Sequence, residues 1–178
     1  MSAASAEPRI GARLAGAAPG ATAFARVFGL RPDLYADYRA FLAALWGRES
    51  VGPVVLELCR LRIAQLLECE SELRLRYEPA RAAGLAESKI ALLDRWPTAP
   101  EFTDAERACL GYAEQFVLDA HGVTDAQAAE VTAHLTAAGL VALTQALALF
   151  EGFARFRQIL GVEPEALLLA ADGNPVAP

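Results

Sequence analysis

Histidine and cysteine are scarce in this 178-residue chain, with two of the first and three of the second. That leaves few nitrogen and sulfur ligands for a zinc or iron site, and neither His121 nor His134 lies close in sequence to a cysteine. No metal and no cofactor is expected. Cys59, Cys69 and Cys109 form neither a CxxC pair nor an even-numbered disulfide framework, so reduced thiols and a cytoplasmic location are expected. Positive charge is also short: sixteen Lys and Arg stand against twenty-two Asp and Glu, a net charge of −6, with the basic residues scattered. No stripe for phosphates results, and nucleic acid is not an expected partner. β-branched residues are sparse, which argues against a sheet-rich fold.

Long apolar runs are missing as well. The least charged stretch, LTAAGLVALTQALALF (residues 135–150), is shorter than the ~20 residues of a membrane span and contains Thr, Gln and Gly. It reads as a buried core helix, with no membrane partner. Residues 1–22 are rich in Ala, Gly, Ser and Pro, but Glu7 and Arg9 interrupt them and no signal-peptide core is present. They read as a flexible N-terminal arm.

What is present is a 54% hydrophobic composition in which Leu and Ala dominate, suited to packed helices. The expected fold class is all-α, a compact multi-helix single domain over residues 23–163, followed by a C-terminal tail, 164–178. Punctuation divides it. Pro32 and Pro53 stand in favourable first-turn positions of two amphipathic helices, RPDLYADYRAFLAALWG and SVGPVVLELCRLRIAQLLE. Pro79 either kinks a helix or opens a new one. AGLAESKIALLDRWP is expected as a short helix, and Thr103 with Glu106 and Thr124 with Gln127 are capping boxes. The last helix, about 139–160, is apolar on more sides than one buried face requires, so part of it is expected to face another subunit.

The stretch ECESELRLRYEPARAAGL, residues 68–85, concentrates the chemistry. On a helix, Cys69, Glu72 and Arg76 would line one face, with the thiol nearest the helix start. The same spacing also describes ordinary charged pairs on a solvated face. Trp46 and Tyr77 read as core or pocket wall, His121 and His134 as exposed, and Cys59 and Cys109 as inert buried thiols.

The segment VVLELCRLRIAQLLECESELRLRYEPARAAGL resembles the core signature of the carboxymuconolactone decarboxylase and alkylhydroperoxidase D superfamily. In that signature a Glu is followed twelve residues later by a Cys, then by a second active-site position, a His, and an ARxAGL-like run. The matching positions are Glu57, Cys69, Glu72, Arg76 and Ala80 to Leu85. FTDAERACLGYAEQF and FEGFARFRQILGV are similar to the family's downstream helix opening and closing segment, so the resemblance spans about residues 24–162. It implies an alkylhydroperoxidase D-like helical fold and a homo-oligomer, a trimer or a hexamer.

Two departures matter. The hydroperoxidase branch needs a second cysteine where Glu72 stands, so a two-cysteine peroxidase is not expected. Arg76 replaces the proton-carrying histidine, and a guanidinium stays charged at working pH. CESEL is closer to the decarboxylase-like branch, which often has Glu in the second position. The expected site therefore has Glu57 and Glu72 as an acid/base pair, Cys69 as pocket wall or thiolate, and Arg76 holding a substrate carboxylate. That arrangement suits proton transfer or decarboxylation of a small organic acid or lactone. A buried Glu57–Arg76 ion pair without chemistry is the structural alternative, on a non-catalytic small-ligand-binding or assembly protein; a thiol-dependent peroxidase is the third reading, and it requires another cysteine to approach Cys69.

Overall fold

In a computed structural model the chain is described at residues 20–47 and 50–176, together with Leu14. Most of the N-terminal arm lies outside the described residues. The elements run α1 (Ala23–Phe28), α2 (Pro32–Gly47), α3 (Pro53–Leu66), α4 (Glu70–Leu73), β1 (Leu75–Tyr77), α5 (Glu78–Ala82), α6 (Glu87–Ile90), a 3-10 turn (Leu93–Arg95), α7 (Asp104–Leu118), a second 3-10 turn (Ala120–Gly122), α8 (Asp125–His134), α9 (Ala137–Leu160) and β2 (Leu167–Leu169). The fold is mostly helical.

Helix α3 is the centre. It packs against both α7 and α9, and Leu56 to Leu61 are all buried, so it has no solvent face over that run. Any charge there must find its partner inside the protein. Both capping boxes form: Thr103 Oγ1 accepts from Glu106 N at 3.3 Å while Glu106 Oε2 accepts from Thr103 N at 2.7 Å, and Thr124 and Gln127 do the same for α8. Pro79 lies in the first turn of α5, opening a new helix. α9 is a 24-residue helix capped by Thr136, two residues longer at its start than the sequence suggests because the Thr136 side chain accepts from Gly139 N at 3.1 Å. By length and composition alone it is long enough to cross a membrane, and 33% of its most apolar window is buried here. Its covered face carries Leu143, Leu147, Phe150, Ala154 and Arg157. It is therefore a core helix on one face only.

Two local features break the expected helix through residues 68–76. Glu68 has φ 51°, a left-handed conformation that ends α3's path, and α4 lasts a single turn. Arg76 then lies on β1, which pairs in parallel with β2 in the register Leu75↔Leu167, Arg76↔Leu168, Tyr77↔Leu169. Residues beyond 163 thus supply a strand. Rings of Phe24, Phe28, Tyr35, Tyr38, Phe153 and Phe156 form a second, aromatic cluster joining α1, α2 and α9, with Tyr38 and Phe153 centroids 4.2 Å apart.

Candidate functional site

Arg60 organises the interior. It follows Glu57 by one helical turn on α3, and its Nε and NH2 donate to Glu57 Oε2 and Oε1, both at 2.8 Å. NH1 donates to Glu72 Oε2 at 2.8 Å and to the Glu72 carbonyl at 2.9 Å, and NH2 also donates to the Leu75 carbonyl at 2.9 Å. Every N–H of the guanidinium is thereby used. The Tyr77 ring covers it at 5.2 Å, and Tyr77 in turn stacks on Trp46 at 4.5 Å. Trp46 Nε1 is buried without a hydrogen-bond partner among the described residues.

Glu72 is held from the other side by Arg157 of α9, whose Nε donates to Oε1 at 2.5 Å and whose guanidinium lies 4.1 Å from the Phe24 ring centroid. Glu57, Arg60, Glu72 and Arg157 are all buried and pair two negative charges with two positive ones. Burial on its own would push the Glu72 carboxyl up, but Arg157 and Arg60 outweigh it and hold the carboxyl below its usual value. Burial opposes the charge on Arg60 as well, and Glu57 and Glu72 overcome it.

Cys69 stands at the N-cap of α4, packed in a small cluster with Ala64 and Ala154, and its Sγ donates to the Ala154 carbonyl at 3.6 Å. Burial pushes this thiol up, so the helix start does not yield a thiolate. Its outer edge lines a cleft of about 510 Å³ between the start of α4 and the end of α9, with Arg157 on the same wall and Glu68, Glu70 and Glu163 around it. Those three glutamates are exposed and have no ion-pair partner among the described residues. Cys59 and Cys109 are free and buried on the helices that form the core, where burial pushes the Cys109 thiol up to about 11.

Arg76 is elsewhere. On β1 it points outward, and its Nε and NH2 donate to Glu87 Oε1 and Oε2 at 2.7 and 2.9 Å, with NH1 on the Leu73 and Leu75 carbonyls. The four expected site residues therefore do not converge: Glu57 and Glu72 meet through Arg60, Cys69 lies at the neighbouring cleft, and Arg76 is engaged by α6. The physical reason is the left-handed turn at Glu68 and the strand at 75–77, which replace the helical face assumed from spacing. A buried Glu57–Arg76 pair does not form either, because Arg60 occupies both oxygens of Glu57.

The sequence reading missed Arg60 and Arg157. Each had a signal. Arg60 interrupts a helix without a polar face, one turn from Glu57; Arg157 continues the buried series Leu143, Leu147, Phe150, Ala154 at alternating steps of four and three. His121 and His134 are exposed, and among the described residues no three His, Cys, Asp or Glu side chains are grouped to hold a metal ion.

The profile of the carboxymuconolactone decarboxylase family matches residues 32–115, which take in Glu57, Arg60, Cys69, Glu72 and Arg76 but stop short of Arg157. The uncharacterised protein YnjA of Escherichia coli K12 is 32% identical over 121 residues, covering 67% of this chain and 66% of YnjA. The chain thus spans just under two thirds of that relative's length. Among solved structures, a protein of unknown function from Agrobacterium tumefaciens, ATU0492, is 20% identical with a TM-score of 0.67 over 78% of this chain and 94% of that one. The debrominase Bmp8 in complex with 2,3,4-tribromopyrrole is 14% identical with a TM-score of 0.70, over 93% and 86% of the two chains. At these identities the structural likeness is one of fold.

Proposed function

This chain belongs to the carboxymuconolactone decarboxylase and alkylhydroperoxidase D superfamily, and on that premise we propose that it is a small-ligand-binding member whose former acid/base positions now hold the interior together. The observation that carries this reading is the saturation of Glu57 and Glu72 by Arg60 and Arg157. A general acid or base works best with a pKa near the operating pH, whereas Glu72 is held below the ordinary carboxylate range and stays ionised. Moving a proton onto either carboxylate would break a buried ion pair. The ligand's place is the cleft beside Cys69. Its three unpaired glutamates disfavour a carboxylate, and its one buried cation is already engaged by Glu72, so an uncharged lactone or a cationic small molecule suits it better than an organic acid.

The test is a ligand screen by native mass spectrometry with lactones, amines and carboxylates, combined with iodoacetamide labelling of Cys69 at about pH 9, close to the ordinary thiol value. Binding of an uncharged or cationic compound that slows Cys69 labelling, without turnover, is the expected result. Turnover of a lactone that disappears in a folded Glu72→Gln variant would establish the acid/base reading instead.

The protein also suits a reducing cytoplasm, given three free cysteines, and a homo-oligomer, a trimer or a hexamer. The outer face of α9 supports the latter: Ala138, Val141, Gln145, Ala148, Gly152 and Ile159 are exposed along a single strip that Arg155 interrupts near its end.

A further inference from the structure

Arg157 has donors to spare. It is 6% exposed and borders the cleft beside Cys69, yet only its Nε is bonded, to Glu72; NH1 and NH2 make no hydrogen bond among the described residues. Nor are they sealed. Among the described residues Trp46 Nε1 is the one buried side-chain nitrogen or oxygen that lacks both a partner and solvent, so the unbonded nitrogens of Arg157 keep access to open space. The cleft is the opening that Arg157 borders. Burial raises the Cys69 thiol and the charge of Arg157 pulls the other way, which puts the guanidinium within electrostatic reach of the cleft's sulfur wall. The neighbouring polar groups are committed: Ser71 Oγ donates to the Val162 carbonyl at 2.7 Å and Gln158 Nε2 to the Leu67 carbonyl at 2.5 Å.

A planar fork of N–H donors, fixed by Glu72 and by the Phe24 ring, is a preorganised receptor for an acceptor oxygen. The surrounding charge decides which kind. Glu57 and Glu72 are balanced by Arg60 and Arg157, so the excess charge of the cleft is that of Glu68, Glu70 and Glu163, exposed at its rim. A carboxylate on the fork would add negative charge beside Glu72 and the rim. A neutral carbonyl escapes that repulsion, and an ammonium on the same molecule is attracted by the three glutamates. The volume of about 510 Å³ lies within the range of small-molecule sites. Resting on the small-ligand reading above, we propose that the cleft selects a small primary amine that also carries a neutral carbonyl: an amino amide, an amino ester or an aminolactone. The carbonyl oxygen accepts from NH1 and NH2 of Arg157, and the ammonium lies among Glu68, Glu70 and Glu163.

The experiment is an NMR titration of the full chain with β-alaninamide, propionamide, propylamine and β-alanine, which separate the amine, the neutral carbonyl and the carboxylate. β-Alaninamide is expected to bind about tenfold more tightly than each of the other three and to slow iodoacetamide labelling of Cys69. In Glu70→Gln/Glu163→Gln its affinity should fall by about fivefold, while that of propionamide stays unchanged. Arg157→Lys keeps a cation for Glu72 but loses the fork, and should bring β-alaninamide down to the level of propylamine. The exposed glutamate pair carries the test if Arg157→Lys does not fold. Equal affinity for propionamide or propylamine, or a preference for β-alanine, would overturn this inference and leave a small-ligand site in place. So would ligands found in the native mass spectrometry screen while none of these four compounds binds; no ligand in either experiment would overturn both readings.

Discussion

Arg60 is the residue on which two carboxylates depend. Removing it leaves Glu57 and Glu72 short of a partner inside the protein, so Arg60→Ala is expected to cost about 3–5 kcal/mol of folding stability, measured by urea denaturation. Arg76→Ala removes a half-exposed pair with Glu87 and should cost under about 1 kcal/mol in the same assay. The contrast separates Arg76, at the position where the resemblance implies a histidine, from the residue that pairs with both Glu57 and Glu72. Acid should act through Glu72. Its folded pKa lies below the ordinary 4.5, so its contribution is complete at neutral pH and is lost as pH falls through the lowered value. Melting temperature should therefore fall below about pH 4.5, and this fall should be shallower in Glu72→Gln, where no proton is taken up at that position.

At the scale of elements, the site depends on how α9 ends. Gly161 adopts φ 62°, ψ 43°, and its N–H and that of Val162 close the last turn on the Gln158 and Arg157 carbonyls. Arg157 is thereby held in the final helical turn, facing Glu72. A Cβ in this left-handed position is strained, so Gly161→Ala should destabilise by about 1–2 kcal/mol. Differential scanning calorimetry would measure that loss, and the change should fall more heavily on Glu72's acid response than Thr103→Ala does. The latter loses a capping box on α7, worth about 1 kcal/mol, far from the ion pairs.

For the whole molecule, the two faces of α9 have opposite roles. One buries Leu143, Leu147, Phe150 and Ala154, while the other exposes Ala138, Val141, Gln145, Ala148, Gly152, Arg155 and Ile159 at steps of three and four. The groove between that outer face and α2, about 460 Å³, is lined by Phe41, Leu45, Val51, Ala138, Val141 and Ala142. Under the oligomer proposed above, Val141→Glu should place a charge in the contact and shift the protein toward monomer by light scattering, with its circular dichroism unchanged. A protein that is monomeric before the substitution would contradict the proposal.

The helical class, the starts at Pro32, Pro53, Thr103 and Thr124, and the family resemblance were all legible in the sequence, because caps, prolines and helical periodicity act within a few residues of one another. So was the proximity of Glu57 and Glu72, which share Arg60 as a partner in the interior. Which charges meet was not legible. The partner of Glu57 is one turn along its own helix, the second partner of Glu72 lies 85 residues away on α9, and Arg76 is turned outward by a left-handed residue and a strand completed by Leu167–Leu169. Burial is a property of packed elements. With α3 covered by α7 and α9, Arg60 bonds both glutamates in the interior, and pairing of buried charges is decided there rather than along the chain.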